Sequence, residues 1–213
     1  MLFRSRSQHL ETDVPRLDLD VPYHERHLAR QLGARWDASR GCWFVPSDMD
    51  PSALLGWSVA SELVNVRAHR YFLVQRLLPC AHCGARTRVH GIVLPSGHEV
   101  RVRADAEEDW ERSDEPTLLS FVTQLEPPVR ARLREASLWY QPTGPEGDLA
   151  NHCERCRAAF DEYRLYATAG AGFEVLCEDE AAQIELTLVA SGFAGSAEHF
   201  SLGVVFLEAM TRR

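Results

Sequence analysis

The chain contains no lysine. All 23 of its basic residues are arginine, which removes lysine Schiff-base chemistry and a P-loop lysine from consideration and suits the composition of a GC-rich genome. No run approaches the roughly 20 apolar residues of a membrane helix, and Met1 to His9 lacks the apolar stretch of a signal peptide. A cytoplasmic, reducing address with no membrane partner is therefore expected. No phosphate-binding glycine loop, nucleophile elbow or His-Glu-x-x-His pattern occurs, so no nucleotide cofactor is expected either. A net charge of −8 works against a duplex-wide grip on a phosphate backbone. What remains is globular: 45% hydrophobic and 25% charged residues in 213 positions, room for one domain or two small ones.

Against these absences stand two cysteine pairs of one spacing, Cys80-Ala81-His82-Cys83 and Cys153-Glu154-Arg155-Cys156. Side chains at i and i+3 of a tight turn converge, so two such pairs supply the four thiolates that Zn²⁺ prefers in closed tetrahedral sites. One structural Zn²⁺ per chain is expected on Cys80, Cys83, Cys153 and Cys156. A closed set leaves no open position for water and points to architecture rather than zinc chemistry. Two unrelated thiol pairs or a redox motif are the alternatives, and no βαβ context favours the latter. About 70 residues separate Cys83 from Cys153, beyond the usual ribbon gap of about 15–20, so an insertion between knuckles is expected. Gly84 follows the first pair; Arg157 follows the second and leaves open a helix starting there, as in a treble clef. His82 and His152 read as solvent-facing neighbours, and Cys42 and Cys177 as buried small hydrophobes.

The first 50 residues are strongly patterned. Arg16 to Pro22 alternates as a short strand, His24 to Leu32 reads as a helix with Leu28, Ala29 and Leu32 on its apolar face, and Gly33 is its stop. Asp37 to Gly41 is a turn and Cys42 to Pro46 a second strand, with Trp36 and Trp43 flanking the turn. The stretches Leu19-Asp20-Val21-Pro22-Tyr23-His24-Glu25, Leu32-Gly33-Ala34-Arg35-Trp36-Asp37 and Trp43-Phe44-Val45-Pro46 resemble a bacterial module, the domain of unknown function 5710. That resemblance implies a nucleic-acid neighbourhood, since relatives of the module occur alone or beside primase-like, helicase and nuclease domains of mobile elements. The later segment is similar to the zinc-knuckle half of uncharacterised bacterial proteins carrying the same module. Tyr23, Arg35, Trp36 and Arg40 are candidates for a stacking platform on single-stranded nucleic acid; burial of the tryptophans in a small core is the competing reading.

Further along, a short helix is expected over 51–56 and a strand at Tyr71 to Val74. Thr87 to Leu94 and Glu99 to Arg103 are expected as a hairpin around Pro95-Ser96-Gly97-His98. The acids of Asp105 to Glu115 suggest an exposed loop. Helices are expected over Thr117 to Leu125 and Val129 to Ser137, a strand over Ile184 to Val189, and a terminal helix over Ala197 to Thr211 with Phe200, Val204, Leu207 and Met210 on one side. The fold class is α+β: a strand–helix–strand module over 1–50, a connector over 51–79, and a zinc-ribbon-like or treble-clef-like Cys₄ domain over 80–213 with an inserted hairpin and helices. The function expected is a non-enzymatic accessory role, binding a protein partner or single-stranded nucleic acid. The rival is a metal-dependent hydrolase or nuclease built on His90, His98 and the carboxylates of Asp105, Glu107, Glu108 and Asp109.

Overall fold

Three strands and a short helix enclose a core of their own at the N-terminal end. The computed structural model of the chain describes residues 16–58, 64–101, 110–138, 140–143, 149–201 and 204–213. Strand β1 (Leu17–Leu19) leads through a 3₁₀ turn (Tyr23–Glu25) into α1 (Arg26–Gln31), then β2 (Arg35–Asp37) and β3 (Cys42–Val45), with sheet order β1-β3-β2, all antiparallel. Gly33 follows the helix with φ +95°, the left-handed conformation that favours glycine. The core holds Leu19, Val21, Ala29, Ala34, Trp43, Val45 and Leu54, with Trp57 packed on it. A second 3₁₀ segment (Ser52–Trp57) closes the module through Asp20 N–H to Trp57 O (2.8 Å) and Trp57 Nε1–H to Glu25 (2.5 Å). The module thus runs past Asp50 to Ser58. Its helix turns Ala29 inward and leaves Leu28 and Leu32 exposed, the reverse of the expected face, because the small Ala29 lets α1 lie close against Trp43.

The rest of the described residues are built on a nine-stranded sheet and a separate two-stranded pair. β4 (Val66–Ala68), β5 (Tyr71–Pro79), β6 (Arg86–Leu94), β7 (Glu99–Arg101), β8 (Trp110–Arg112) and β9 (Thr117–Leu125) precede α2 (Pro127–Ala136) and the small pair β10 (Tyr140–Pro142) and β11 (Leu149–Asn151). Then come α3 (Glu162–Tyr166), α4 (Glu178–Ala181), β12 (Glu185–Val189), β13 (Phe193–Ser201), α5 (Val204–Ala209) and β14 (Thr211–Arg212). The large sheet has the order β14-β12-β5-β6-β9-β13-β4-β7-β8. Alternation along β5 divides the two cores: Tyr71 and Leu73 face Val129, Leu133 and Tyr140, while Phe72 and Val74 face Leu165, Tyr166 and Phe173. Helix α2 also carries the module, through Arg130 and Arg134 on Asp20 and Ala131 under Gly41.

Several expectations change. Thr117–Leu125 is a central strand, not a helix: Leu118, Leu119, Val122 and Leu125 are buried on a sheet covered on both sides, so no two-residue alternation marks it. The terminal helix is shorter, because 197–201 belong to β13, paired with β9; Leu207 and Met210 are buried as expected, and the side chains of Phe200 and Val204 lie outside the described residues. β6 and β7 are both strands, yet β6 pairs with β5 and β9, and β7 with β4 and β8, so they form no hairpin. Residues 110–112 of the acidic stretch are β8, while 102–109 lie outside the described residues. The presumed connector supplies β4 and β5, and Cys177, preceding α4, is exposed. The architecture is mixed α+β, mostly strand, with the four cysteines clustered, and no described helix is long and apolar enough to cross a membrane.

Candidate functional site

The turn from β5 to β6 is the first cysteine knuckle. Cys80 N–H donates to Ala85 O (2.9 Å) and Gly84 N–H to Cys80 O (2.8 Å). The second knuckle, after β11, repeats the pattern: Cys153 N–H to Ala158 O and Arg157 N–H to Cys153 O, both 2.9 Å. Gly84 and Arg157 occupy equivalent places and both are left-handed, at φ +70° and +65°. Glycine takes that conformation freely; arginine does so at a cost of roughly 1–2 kcal/mol. No helix starts at Arg157, since α3 begins at Glu162 with the Asp161 side chain accepting from Arg164 N–H (3.0 Å).

Two side chains outside the Cys-x-x-Cys motifs tie the second knuckle to β6. Asn151 mimics a strand neighbour: its Oδ1 accepts from His90 N–H (2.7 Å) and its Nδ2 donates to His90 O (2.8 Å). The Tyr166 hydroxyl donates to the same carbonyl (2.9 Å). Thr87, buried on β6, donates its hydroxyl to Cys153 Sγ (3.4 Å). The result is Sγ–Sγ separations of 3.7 Å for both Cys80–Cys156 and Cys83–Cys153, with all four sulfurs within 4.8 Å of one another. The Thr87 hydroxyl, with the backbone N–H groups of Cys156 and Arg155, holds the Cys153 thiol below the usual thiol range, towards the thiolate that a metal requires. Residue counting misses Asn151 and Thr87; their one signal is that each lies two or four positions from a ligand.

The rival acid–base set does not assemble among the described residues. His90 is buried, and burial together with Arg88 pushes its imidazole down to about 4. His98 Nδ1 sits 2.9 Å from Pro95 O. Neither joins a group of ligating side chains close enough to hold an ion, and Asp105, Glu107, Glu108 and Asp109 lie outside the described residues. A cavity of about 540 Å³ flanks Cys80, but two of its charged walls are already engaged, Arg76 with Gly172 O and Asp161 with the start of α3. Buried beside Asp18, the Cys42 thiol is pushed up to about 11, far from nucleophilic use.

On the module, Trp36 and Trp43 are cross-strand partners in edge-to-face contact, centroids 5.8 Å apart. Trp43 is buried, while Trp36 is 47% and Tyr23 83% exposed. The Arg26 guanidinium lies 4.9 Å from the Tyr23 ring centre and 5.8 Å from that of Trp36, and Arg30 lies 5.7 Å from Trp43. Arg26, His27, Arg30, Trp36 and Trp43 line a hollow of about 390 Å³. Arg26 Nε and Trp43 Nε1 are buried donors without an acceptor among the described residues. The candidate quartet therefore divides. Tyr23 and Trp36 share this face; Arg35 precedes Trp36 on β2 and points to the other side of the sheet, where Arg40 pairs with Asp18 (2.9 Å). Arg26 and Arg30 take their places because they are one helical turn apart on α1.

Residues 16–58 match the family described as Domain of unknown function (DUF5710). Parts of the chain are also similar to two Escherichia coli proteins that carry the name DNA primase TraC. One is 33% identical over 98 residues, 44% of this chain and 9% of that protein. The other is 32% identical over 63 residues, 30% of this chain and 4% of that protein. The chain spans less than a tenth of the curated relatives it matches. No solved structure matches it.

Proposed function

We propose that the chain is a zinc-stapled accessory protein without an enzymatic site, and that its DUF5710-like module binds single-stranded nucleic acid through Tyr23, Arg26, Arg30 and Trp36. The observation that carries the reading is the hollow between α1 and β2, where exposed aromatic rings adjoin two guanidinium groups and two buried donors lack an acceptor among the described residues. Rings give bases a stacking surface and arginines draw the phosphates. Similarity to proteins named as DNA primases supports a nucleic-acid setting. The sulfurs suit zinc: ligands about 2.3 Å from a tetrahedral centre stand about 3.8 Å apart, against the 3.7 Å found here. The four cysteines would hold the ion and join the knuckles, with no step of chemistry at it.

A labelled single strand titrated at low salt tests the binding. Saturable, salt-sensitive affinity that falls about fivefold or more in Arg26→Glu and Trp36→Ala, with the module still folded in each, is expected from loss of one stacking or phosphate contact, about 1–3 kcal/mol. Variants that bind like the wild type overturn the assignment. A second reading, an adaptor to protein, is favoured by the exposed pair Leu28 and Leu32 on α1; absence of any binding to single strands would bring it forward.

A further inference from the structure

The hollow of about 540 Å³ beside Cys80 lies between the first knuckle, the exit from the second and the loop over 170–172. Its volume falls within the roughly 300–1,000 Å³ of small-molecule sites. Leu78, Pro79, Phe160 and Leu165 give it apolar wall. Two sides of that wall are fixed to the framework, since Phe160 N–H donates to Asn151 O and Phe173 N–H to Leu165 O, both 2.7 Å. Arg76 is the group whose needs the protein leaves unmet. It shares a β5 face with Val74 and Leu78 and is half-buried. Its Nη1 donates to Gly172 O and its Nη2 to Gln183 Oε1 (3.3 Å), both uncharged acceptors. Its Nε is buried without an acceptor, and no carboxylate pairs with it among the described residues. A guanidinium drawn from water with neither counter-charge nor full hydrogen bonding is costly. Arg164 adds an exposed second guanidinium to the wall. Asp161 is the one carboxylate of the lining and accepts from Arg164 N–H at the start of α3, while Glu162 and Glu174 on the same segments lie outside the lining.

We propose that this hollow binds a small organic carboxylate with an apolar body, its carboxylate on Arg76 and its body against Leu78, Phe160 and Leu165. The carboxylate supplies the acceptor and the counter-charge that Arg76 lacks, and the body takes water off the apolar wall. Inorganic phosphate is the poorer fit, because it would leave that wall uncovered and bring a second negative charge towards Asp161. A nucleic-acid strand is poorer still, since the hollow has room for one small molecule. The site is separate from the module's face and independent of it.

The test uses the full chain with phenylacetate and its neutral isostere, phenylacetamide. Phenylacetate should shift the amide resonances of residues 158–161 and 170–172 saturably in NMR spectra. Phenylacetamide should bind roughly tenfold more weakly or worse, as the loss of a hydrogen bond between charged groups implies. Arg76→Met keeps much of the side chain's apolar stem and should erase the preference for the acid over the amide. Should that variant fail to fold, the comparison of acid with amide on the wild type still decides. Equal affinity for the two compounds, saturable shifts confined to other residues, or no saturable shift with phenylacetate overturns the proposal. So does inorganic phosphate or oligothymidylate moving the same amides where phenylacetate does not.

Discussion

The module draws its core from one unbroken stretch, Leu19 to Trp57, and closes it with contacts such as Trp57 to Glu25. The cysteine centre takes its ligands from positions 70 and 76 residues apart and needs β6 as a template on which Asn151 and Thr87 lock the second knuckle. Local closure carries little loop entropy and can rest on two tryptophans and a well-placed glycine. Distant closure costs more, though only logarithmically with length, and a metal ion on the four cysteines would offset it. The difference teaches that one chain can hold a region closed by neighbours in sequence beside a region closed by four cysteines that only the fold brings together.

Removing the metal is the sharpest way to break that comparison. Zinc binding in finger-like peptides contributes about 10–16 kcal/mol apparent. Chelation, or Cys80→Ser, is therefore expected to abolish amide protection over 80–94 and 149–166 while 17–45 keep theirs. Hydrogen exchange read by mass spectrometry checks this, and protection that survives in both regions contradicts it.

Next in size is Asn151→Ala, which touches no ligand. It strands the buried N–H of His90, at about 2 kcal/mol, and removes one of two hydrogen bonds to the His90 carbonyl, which Tyr166 still satisfies, at about 1 kcal/mol, so about 3 kcal/mol of stability is expected to go, with faster zinc loss to a chelator. Denaturant unfolding together with a colorimetric zinc release assay measures both.

The buried His90 adds a pH dependence. Its imidazole titrates near 4 in the folded chain against 6.5 as the ordinary value, so between these limits the unfolded state takes up a proton that the folded state refuses. Stability falls as pH drops from about 6.5 to about 4 and levels off below, a loss on the order of 3 kcal/mol. Because cysteine ligands also titrate as the solution is acidified, the readout is the difference between wild type and His90→Gln, which should lose this part of the slope.

The smallest effect belongs to the module. In Gly33→Val a β-branched residue must adopt φ +95°, at about 2 kcal/mol; its Cβ also meets the Met49 thioether, a flexible tip that can yield. Local exchange should quicken over 17–45 while the large sheet keeps its protection.

How much of this was legible depended on the distance between partners. The module could be read because its turn, its glycine stop and its paired tryptophans lie within reach of one another. The cysteine motifs were legible by spacing alone, whereas Asn151 and Thr87 were not, since their partners are known only once β6 and the segment after β11 lie side by side. Thr117 to Leu125 misled because a strand buried on both faces loses its two-residue period and looks like any apolar run. Arg35 and Arg40 misled for the opposite reason: both are arginines near a tryptophan in sequence, but strand alternation and the Asp18 ion pair turn them away from it. Arg76 drew no notice because the walls around it come from β5, the second knuckle and the loop over 170–172, brought together only by the fold.

X-ray absorption at the zinc edge on the purified full chain tests the central claim, that one ion joins two knuckles so far apart in sequence. The account predicts one zinc per chain with four sulfur neighbours at about 2.3 Å, lost in Cys153→Ser. A chain that purifies without zinc, or a zinc with two sulfurs and a remainder of nitrogen or oxygen neighbours, would contradict it.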